Sequence, residues 1–166
     1  MSDPRTLYDE DFIAWTRQQA AALRAAARRS TNRTLDWEHL AEEVENLGKP
    51  VRHVPSSQLR RILHHLLKLE HSPAVDPRRG WKRSVRQARL EIAKLLRENP
   101  SLKSEVARLA AEALTDAIAL ASADLDDYRE LDAAARTRLR HSGYGVEQIL
   151  GDWFPPEPRQ SATGGS

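Results

Sequence analysis

Apolar residues recur every three or four positions along almost the whole chain, and this spacing is typical of amphipathic helices. No stretch shows the alternation of a half-buried strand, and the β-branched residues are scattered. We therefore predict an all-α fold, a compact bundle of five to six helices. The predicted helices cover about 9–29, 36–47, 57–71, 80–98, 102–122 and 127–140, and a last turn ends near Leu150.

Several residues mark predicted helix ends or faces. Asp36 is a natural N-cap, and Gly48 is the expected left-handed residue that follows the second helix. Pro50 and Pro55 interrupt the pattern, so the third helix is expected to begin only after them. Tyr128 falls on the apolar stripe of the short sixth helix.

The chain has 166 residues, a length that suits one domain. We predict a single helical domain over residues 1–154. Residues 155–166 are rich in Pro, Gly and Ser and are expected to form a disordered tail. The sequence contains 0 cysteines, which excludes disulfides, thiol catalysis and cysteine-ligated zinc.

A net charge of +2 conceals a strong asymmetry along the chain. Residues 1–50 carry 7 Lys/Arg and 9 Asp/Glu, a net of −2. Residues 51–100 carry 12 and 4, a net of +8, and residues 101–166 carry 7 and 11, a net of −4. Folding could expose a basic face to a polyanion, or the segments could neutralise each other.

Targeting and cofactor motifs are missing from the sequence. No apolar run is long enough for a transmembrane helix, and the N-terminus does not read as a secretory signal, so a cytoplasmic location is expected. There is no phosphate loop, dinucleotide fingerprint or nucleophile elbow. We predict no cofactor and no membrane partner.

Three carboxylates lie on one flank of the second predicted helix. Glu38, Glu42 and Glu45 are four and three residues apart, so they share one side of the helix beside the apolar stripe. Carboxylates in this arrangement could bind a divalent cation or act as acid and base. The alternative is a solvated or salt-bridged face, since Glu is a good helix former.

The fourth predicted helix is basic. Lys82, Arg86 and Arg89 lie on one flank of the stripe that begins at Trp81. Such a flank could neutralise phosphates of RNA or DNA, or it could pair with the carboxylates of the second helix. The sequence does not decide between the two.

Histidines cluster in the third predicted helix. His64, Lys68 and His71 share its polar face, whereas His65 lies at the edge of the apolar stripe. There it could be an acid–base group, a metal ligand or a buried hydrogen-bonding residue. No zinc motif of the His-Glu-x-x-His type is present, and we predict no metal site. Glu70 falls within the apolar stripe and would need a partner if buried.

Three segments stand out as a set: Tyr8-Asp-Glu-Asp-Phe-Ile-Ala-Trp15, Asp36-Trp-Glu-His-Leu-Ala-Glu-Glu-Val-Glu-Asn-Leu-Gly48 and Gln148-Ile-Leu-Gly-Asp-Trp-Phe-Pro155. Together they resemble the bacterial domain-of-unknown-function family number twenty-nine, over about residues 8–155. The resemblance implies an all-helical bundle with no established activity. Pro50 and Pro55 depart from the family pattern, in which a longer uninterrupted helix is expected at this place. It also implies a set of recurrent polar or aromatic positions. These positions are Asp36, Glu42, Glu45, His65, Lys68, Trp81, Arg86 and Arg89.

Two functions are compatible with these features. The first is a binding or interaction module that acts through a protein partner or self-association. The second is a nucleic-acid-linked protein, such as a small nuclease or toxin–antitoxin component. A third hypothesis is a di-metal carboxylate site, but the lack of a Glu-x-x-His pair disfavours it. The candidate catalytic residues are Glu42, Glu45, His65 and Lys68, and the candidate binding residues are Trp81, Lys82, Arg86 and Arg89.

Overall fold

A computed structural model describes residues 3–32 and 34–157 of the chain. These residues form eight α-helices and one 3-10 helix, and they contain no strand, so the all-α fold class is confirmed. The helix count exceeds the five or six predicted, because short helices occupy both ends of the chain. The helices are α1 (Pro4–Glu10), α2 (Phe12–Ala27), α3 (Trp37–Asn46), α4 (Lys49–His71), α5 (Arg78–Glu98), a 3-10 helix (Pro100–Glu105), α6 (Val106–Asp127), α7 (Ala133–Arg140) and α8 (Val146–Leu150).

The predicted first helix is broken at Asp11, which is extended and separates α1 from α2. Its carboxylate caps α2 by accepting the amide proton of Ala14 at 2.8 Å. The same carboxylate accepts bonds from the backbone and the hydroxyl of Ser101, at 2.6 and 3.0 Å. Asp11 is buried, and these bonds compensate for the loss of water around the group.

The second predicted helix begins as expected but ends differently. Asp36 caps α3 by accepting the amide proton of His39. Gly48 is not left-handed, since no described glycine has a positive φ. Its Cα instead lies against a buried threonine of α2: a Cβ at Gly48 would stand 2.8 Å from Thr16 Oγ1. Close approach, and not a left-handed turn, therefore makes this position small.

The prediction that prolines delay the next helix is wrong. Helix α4 starts at Lys49 and continues through Pro55 to His71. Pro50 lies in the first turn, where its missing N–H has no intrahelical acceptor in any case. Pro55 removes one bond of the ladder, and its side chain is buried. The two prolines that depart from the family pattern therefore leave this helix uninterrupted.

The chain divides into two compact units, and each is described separately. Unit 1 comprises residues 1–55 and 92–106, and its described part contains α1 to α3 and the 3-10 helix. Helix α2 packs against α1 and α3 there. The buried apolar residues of unit 1 are Ile13, Ala20, Ala41, Ile92, Leu102 and Val106.

Unit 2 comprises residues 56–91 and 107–166, and it includes most of α4 and α5, together with α6 to α8. Its core is rich in leucine from the middle of α4. The most deeply buried apolar residues of this unit are Leu59, Ile62, Leu63, Leu66, Leu67, Leu69, Val85, Ala88, Ala117, Ala121, Leu125 and Leu139.

The last long helix extends further than predicted. Helix α6 runs to Asp127, and Arg129 ends it in the left-handed region at φ 55°. The amides of Arg129 and Glu130 bond to the carbonyls of Asp126 and Leu125, which is a Schellman ending. Tyr128 therefore precedes α7 and is 76% exposed, so its prediction as an inward residue is wrong.

The described C-terminal residues continue to Glu157. Pro155 is buried, and Glu157 Oε1 lies 3.6 Å from Arg78 Nε, although the tail was predicted to begin at residue 155. The rest of the predicted tail, residues 158–166, lies outside the described residues. A single helical domain over 1–154 stays a prediction.

Candidate functional site

Three helices of unit 2 meet around the side chain of Lys68. Lys68 is only 13% exposed, and its Nζ lies 2.7 Å from Asp124 Oδ2 of α6. The same Nζ stands 4.8 Å from the centre of the Trp81 ring of α5. A carboxylate and an aromatic face thus fix the ammonium group in one position.

A histidine shares the carboxylate of Asp124. His64 Nε2 lies 3.0 Å from Asp124 Oδ2. Burial disfavours the charged carboxylate, but the hydrogen bonds and charges of Lys68 and His64 outweigh it and lower the pKa of Asp124. Burial lowers the pKa of His64 itself, so the neutral ring donates its Nε2–H at pH 7.

His65 stacks on His64, with ring centres 5.2 Å apart. Burial is the largest cause that lowers the pKa of His65 to about 4, and the positive charges of neighbouring groups add to it. Its Nδ1 is buried without a hydrogen-bond partner among the described residues. His65 is therefore neutral at pH 7, and its environment is that of a half-buried structural ring.

A cavity of about 340 Å³ lies beside the Lys68–Asp124 pair. This volume is within the range of small-molecule sites. The C-terminal end of α6 contributes two residues to the cavity, because the turn at Arg129 brings Tyr128 and Glu130 to its rim. The cavity is lined by Lys68, Ala74, Pro77, Trp81, Asp124, Leu125, Tyr128 and Glu130.

The predicted carboxylate flank lies in unit 1, where it pairs with an arginine of α2. Arg24 Nη2 is 3.0 Å from Glu45 Oε2, and Arg24 Nε is 3.3 Å from Glu38 Oε1. These hydrogen bonds raise the pKa of Arg24. Glu42 is exposed and lines, with Arg24 and Glu45, a polar cavity of about 370 Å³. The flank is salt-bridged, but its cation comes from α2 and not from the basic helix.

The four candidate catalytic residues therefore fall into two sets. Glu42 and Glu45 belong to unit 1, whereas His65 and Lys68 belong to unit 2. Of the two candidates in unit 2, Lys68 lines the cavity and His65 does not. The described partners of Lys68 are Asp124 and Trp81. Among the described residues, no group of three His, Asp or Glu side chains is arranged to hold a metal ion.

The candidate binding residues of α5 hold the C-terminal segment. Arg89 is 8% exposed and donates to the carbonyls of Ile149, Gln148 and Trp153, each at 2.7–2.8 Å. Its guanidinium carbon is also 4.8 Å from the centre of the Phe154 ring. Lys82 and Arg86 approach the same ring at 5.9 and 5.3 Å. Part of the basic signal is therefore structural.

Glu70, which the sequence marked as needing a partner, has one. The hydroxyl of Tyr144 donates to Glu70 Oε2. Burial first, and then this carboxylate, raise the pKa of Tyr144, so the phenol stays protonated. His71 Nε2 bonds Ser142 Oγ at 2.8 Å beside this pair. These contacts attach residues 142–144 to the end of α4.

Sequence reasoning identified Lys68 and Trp81 but missed three other residues of the cavity. Asp124 is one of three aspartates near the end of α6, with Asp126 and Asp127, and only the packing of that helix brings it to Lys68. Tyr128 was assigned to a helix stripe. Glu130 follows a left-handed arginine, and no local signal distinguishes it.

The fold and the cavity define an all-α protein with a ligand-sized cavity in one of its units. The profile of the family described as "Domain of unknown function DUF29" matches residues 7–154, and the chain belongs to this family. The resemblance stated from the sequence is thus confirmed.

A solved structure has the same fold. The chain is similar to an α-helical protein of unknown function from Rhodospirillum rubrum, whose crystal structure was determined at 1.45 Å resolution. The TM-score is 0.61 at 23% identity, over 87% of this chain and 89% of that chain. No curated protein matches. No helix in the described ranges is long and apolar enough to cross a membrane.

Proposed function

We propose that this protein is a binding module, and that the cavity beside Lys68 and Asp124 is its ligand site. The observation that carries the proposal is the composition of the cavity wall. Two aromatic side chains, Trp81 and Tyr128, line the cavity together with the apolar residues Ala74, Pro77 and Leu125 and a fixed ion pair. Concave apolar walls with few, well-placed polar groups are typical of small-molecule sites.

The polar groups at the cavity are held in position before any ligand binds. Lys68 contacts both Asp124 and the Trp81 ring, and His64 contacts Asp124 as well. Side chains with several partners lose little entropy when a ligand arrives, and this favours affinity. The arrangement supports recognition more than chemistry, because Lys68 is paired and neither of the half-buried histidines lines the cavity.

Exposure at the rim also supports the proposal. Tyr128 is 76% exposed and Val75, next to the lining residue Ala74, is 64% exposed. A tyrosine this exposed leaves much of its ring available for a ligand, and aromatic residues are enriched where proteins bind partners.

The proposal is tested by nuclear magnetic resonance with a set of small aromatic and aliphatic compounds, equally divided among cations, neutral molecules and anions. We expect at least one class to shift the resonances of Ala74, Leu125 and the Trp81 indole together. Absence of such shifts at millimolar concentrations of every class would refute the cavity as a ligand site.

A substitution at the rim of the cavity tests the site without disturbing the fold. Tyr128→Ala removes an exposed side chain, so we expect a change in unfolding free energy within about 0.5 kcal/mol and a loss of ligand shifts. Leu90→Ala is the matched control, since Leu90 is 72% exposed in the same unit but does not line the cavity. Retained binding in Tyr128→Ala would contradict the assignment of the rim.

A second candidate function, polyanion binding, is favoured by one observation. Arg79, Arg83 and Arg86 are exposed and stand four and three residues apart on one face of α5. No acidic residue occurs from Pro77 to Leu90. Three arginines on one face could contact successive phosphates of RNA or DNA.

Salt dependence of binding tests this second function. If the three arginines each neutralise one phosphate of duplex DNA, the logarithm of affinity should fall with the logarithm of salt at a slope of about −2.7. The double variant R79Q/R83Q should reduce the slope to about −0.9. A lack of binding at low salt, or an unchanged slope in the variant, would exclude this face.

A further inference from the structure

We propose that the ligand of the unit 2 cavity is a small organic cation, namely a primary ammonium carried on an aromatic or branched apolar body. This inference rests on the proposed function of the cavity as a ligand site. It comes from counting which charges at the cavity already have partners and which do not.

The ion pair in the wall is internally satisfied. Asp124 Oδ2 accepts from Lys68 Nζ at 2.7 Å and from His64 Nε2 at 3.0 Å. A ligand carboxylate or phosphate would have to compete with Asp124 for the ammonium of Lys68. The one cationic side chain among the residues that line the cavity is thus a poor anchor for an anion.

The unmatched charge at the cavity is negative. Glu130 lines the cavity and is half-buried, and no ion pair or side-chain hydrogen bond is formed by its carboxylate among the described residues. A half-buried carboxylate is stabilised by a cation that reaches it. A primary ammonium has three N–H donors and suits a carboxylate that lacks any donor.

The aromatic walls favour the same charge. The faces of Trp and Tyr rings carry negative potential and attract cations within about 6 Å. The protein already uses the Trp81 face in this way, with Lys68 Nζ 4.8 Å from the ring centre. The Tyr128 ring makes no described contact with a cation or another ring, and it is available to the ligand.

The remaining wall accounts for the body of the ligand. Ala74, Pro77 and Leu125 offer no side-chain hydrogen bond. They can contact only an apolar surface, and a cavity of about 340 Å³ exceeds what an ammonium group alone would fill. An ammonium with an aromatic or branched apolar body satisfies both parts of the wall.

Three probes of similar size and different charge test the inference on the full chain at pH 7. They are 2-phenylethylamine, 2-phenylethanol and 3-phenylpropionate, titrated while the resonances of Ala74 and Leu125 are followed. We expect the amine to bind about tenfold more tightly than the alcohol, the effect of one charge-assisted hydrogen bond. We expect the carboxylate to bind more weakly than the alcohol.

Two variants locate the preference. In Glu130→Gln the amine should lose its advantage over the alcohol, whereas the alcohol should bind as before. Asp127→Asn is the matched control: it removes one negative charge three residues away, outside the cavity lining, and the tenfold preference should remain. Circular dichroism and urea unfolding confirm that both variants are folded.

The outcomes separate the two proposals. If the alcohol or the carboxylate binds as tightly as the amine, or if Glu130→Gln keeps the preference, the cation inference is overturned while the cavity stands as a ligand site. If none of the three probes shifts the cavity resonances, and the wider compound set also fails, both the inference and the proposed function are wrong.

Discussion

Removing the guanidinium of Arg89 should release the C-terminal segment while leaving much of the fold intact. Arg89→Met keeps most of the side-chain stem and deletes the donors to three backbone carbonyls, at 2.8, 2.8 and 2.7 Å. A hydrogen bond from a charged group contributes about 1.5–3 kcal/mol. The three share one cation whose pKa is lowered by burial, so part of the gain offsets its desolvation. We therefore expect a loss of about 2–4 kcal/mol, less than the gross sum.

Amide hydrogen exchange is the assay that reads this loss locally. The amides of Ile149 and Gly151 bond within α8 and its C-terminus, and they report opening of the segment that Arg89 holds. A loss of 2 kcal/mol corresponds to exchange about thirtyfold faster. Urea unfolding of the same variant should show a lower midpoint.

Arg86→Met is the matched control for this prediction. Arg86 is exposed, and its described contact is with the Phe154 ring, so the variant makes the same change of charge with no carbonyl left unpaired. We expect exchange of the same amides to rise by less than about threefold, since exposed cation–π contacts contribute little. Equal acceleration in Arg86→Met and Arg89→Met would refute the argument that buried hydrogen bonds hold the segment.

Three further substitutions test other parts of the structure. Because the pKa of His65 is lowered to about 4, the unfolded state binds more protons between pH 6.5 and 4, and stability falls as the pH falls. Urea unfolding measures the free energy of unfolding that is lost between pH 7 and pH 4.5. For His65→Gln this loss should be about 1–2 kcal/mol smaller than for wild type, after allowance for solvent around a half-buried ring. The control His53→Gln, at an exposed position, should lose as much as wild type. Gly48→Ala should destabilise by about 1 kcal/mol by overpacking, whereas Gly80→Ala, which meets nothing within 4 Å, should stabilise by about 0.5 kcal/mol in thermal unfolding. Asp11→Ala should cost about 2–3 kcal/mol, since it removes the cap of α2 and leaves the amide and hydroxyl of the half-buried Ser101 without their acceptor; a cost below 0.5 kcal/mol would contradict the role of its bonds.

The helices could be predicted because their signals are local. Apolar spacing and the cap at Asp36 involve residues within one or two turns of each other, and both agree with the structure. The breaks could not be predicted in the same way. Asp11 caps α2 through the nearby amide of Ala14, but its carboxylate is also held by Ser101, 90 residues away, and no window of sequence contains both residues.

The candidate site was predictable in part for the same reason. Lys68 and Trp81 stand out in sequence, one as a cation beside apolar residues and the other as a large aromatic residue of a stripe. Asp124, 56 residues from Lys68, is a partner that only the packing of α6 can identify. The spacing of Glu42 and Glu45 correctly put them on one flank, but their environment depends on Arg24 of a different helix.

The basic helix shows why charge counts alone could not decide the function. Lys82, Arg86 and Arg89 are equivalent by spacing, yet Arg89 is buried against carbonyls and Arg86 is exposed. A buried cation whose hydrogen bonds are used within the chain is not available to contact a phosphate backbone. The +8 of residues 51–100 therefore overstates the charge available to a polyanion. The same reasoning applied to the cavity favours the opposite charge: Lys68 and Asp124 neutralise each other, and the proposed cation would meet the carboxylate of Glu130, which has no ion pair among the described residues.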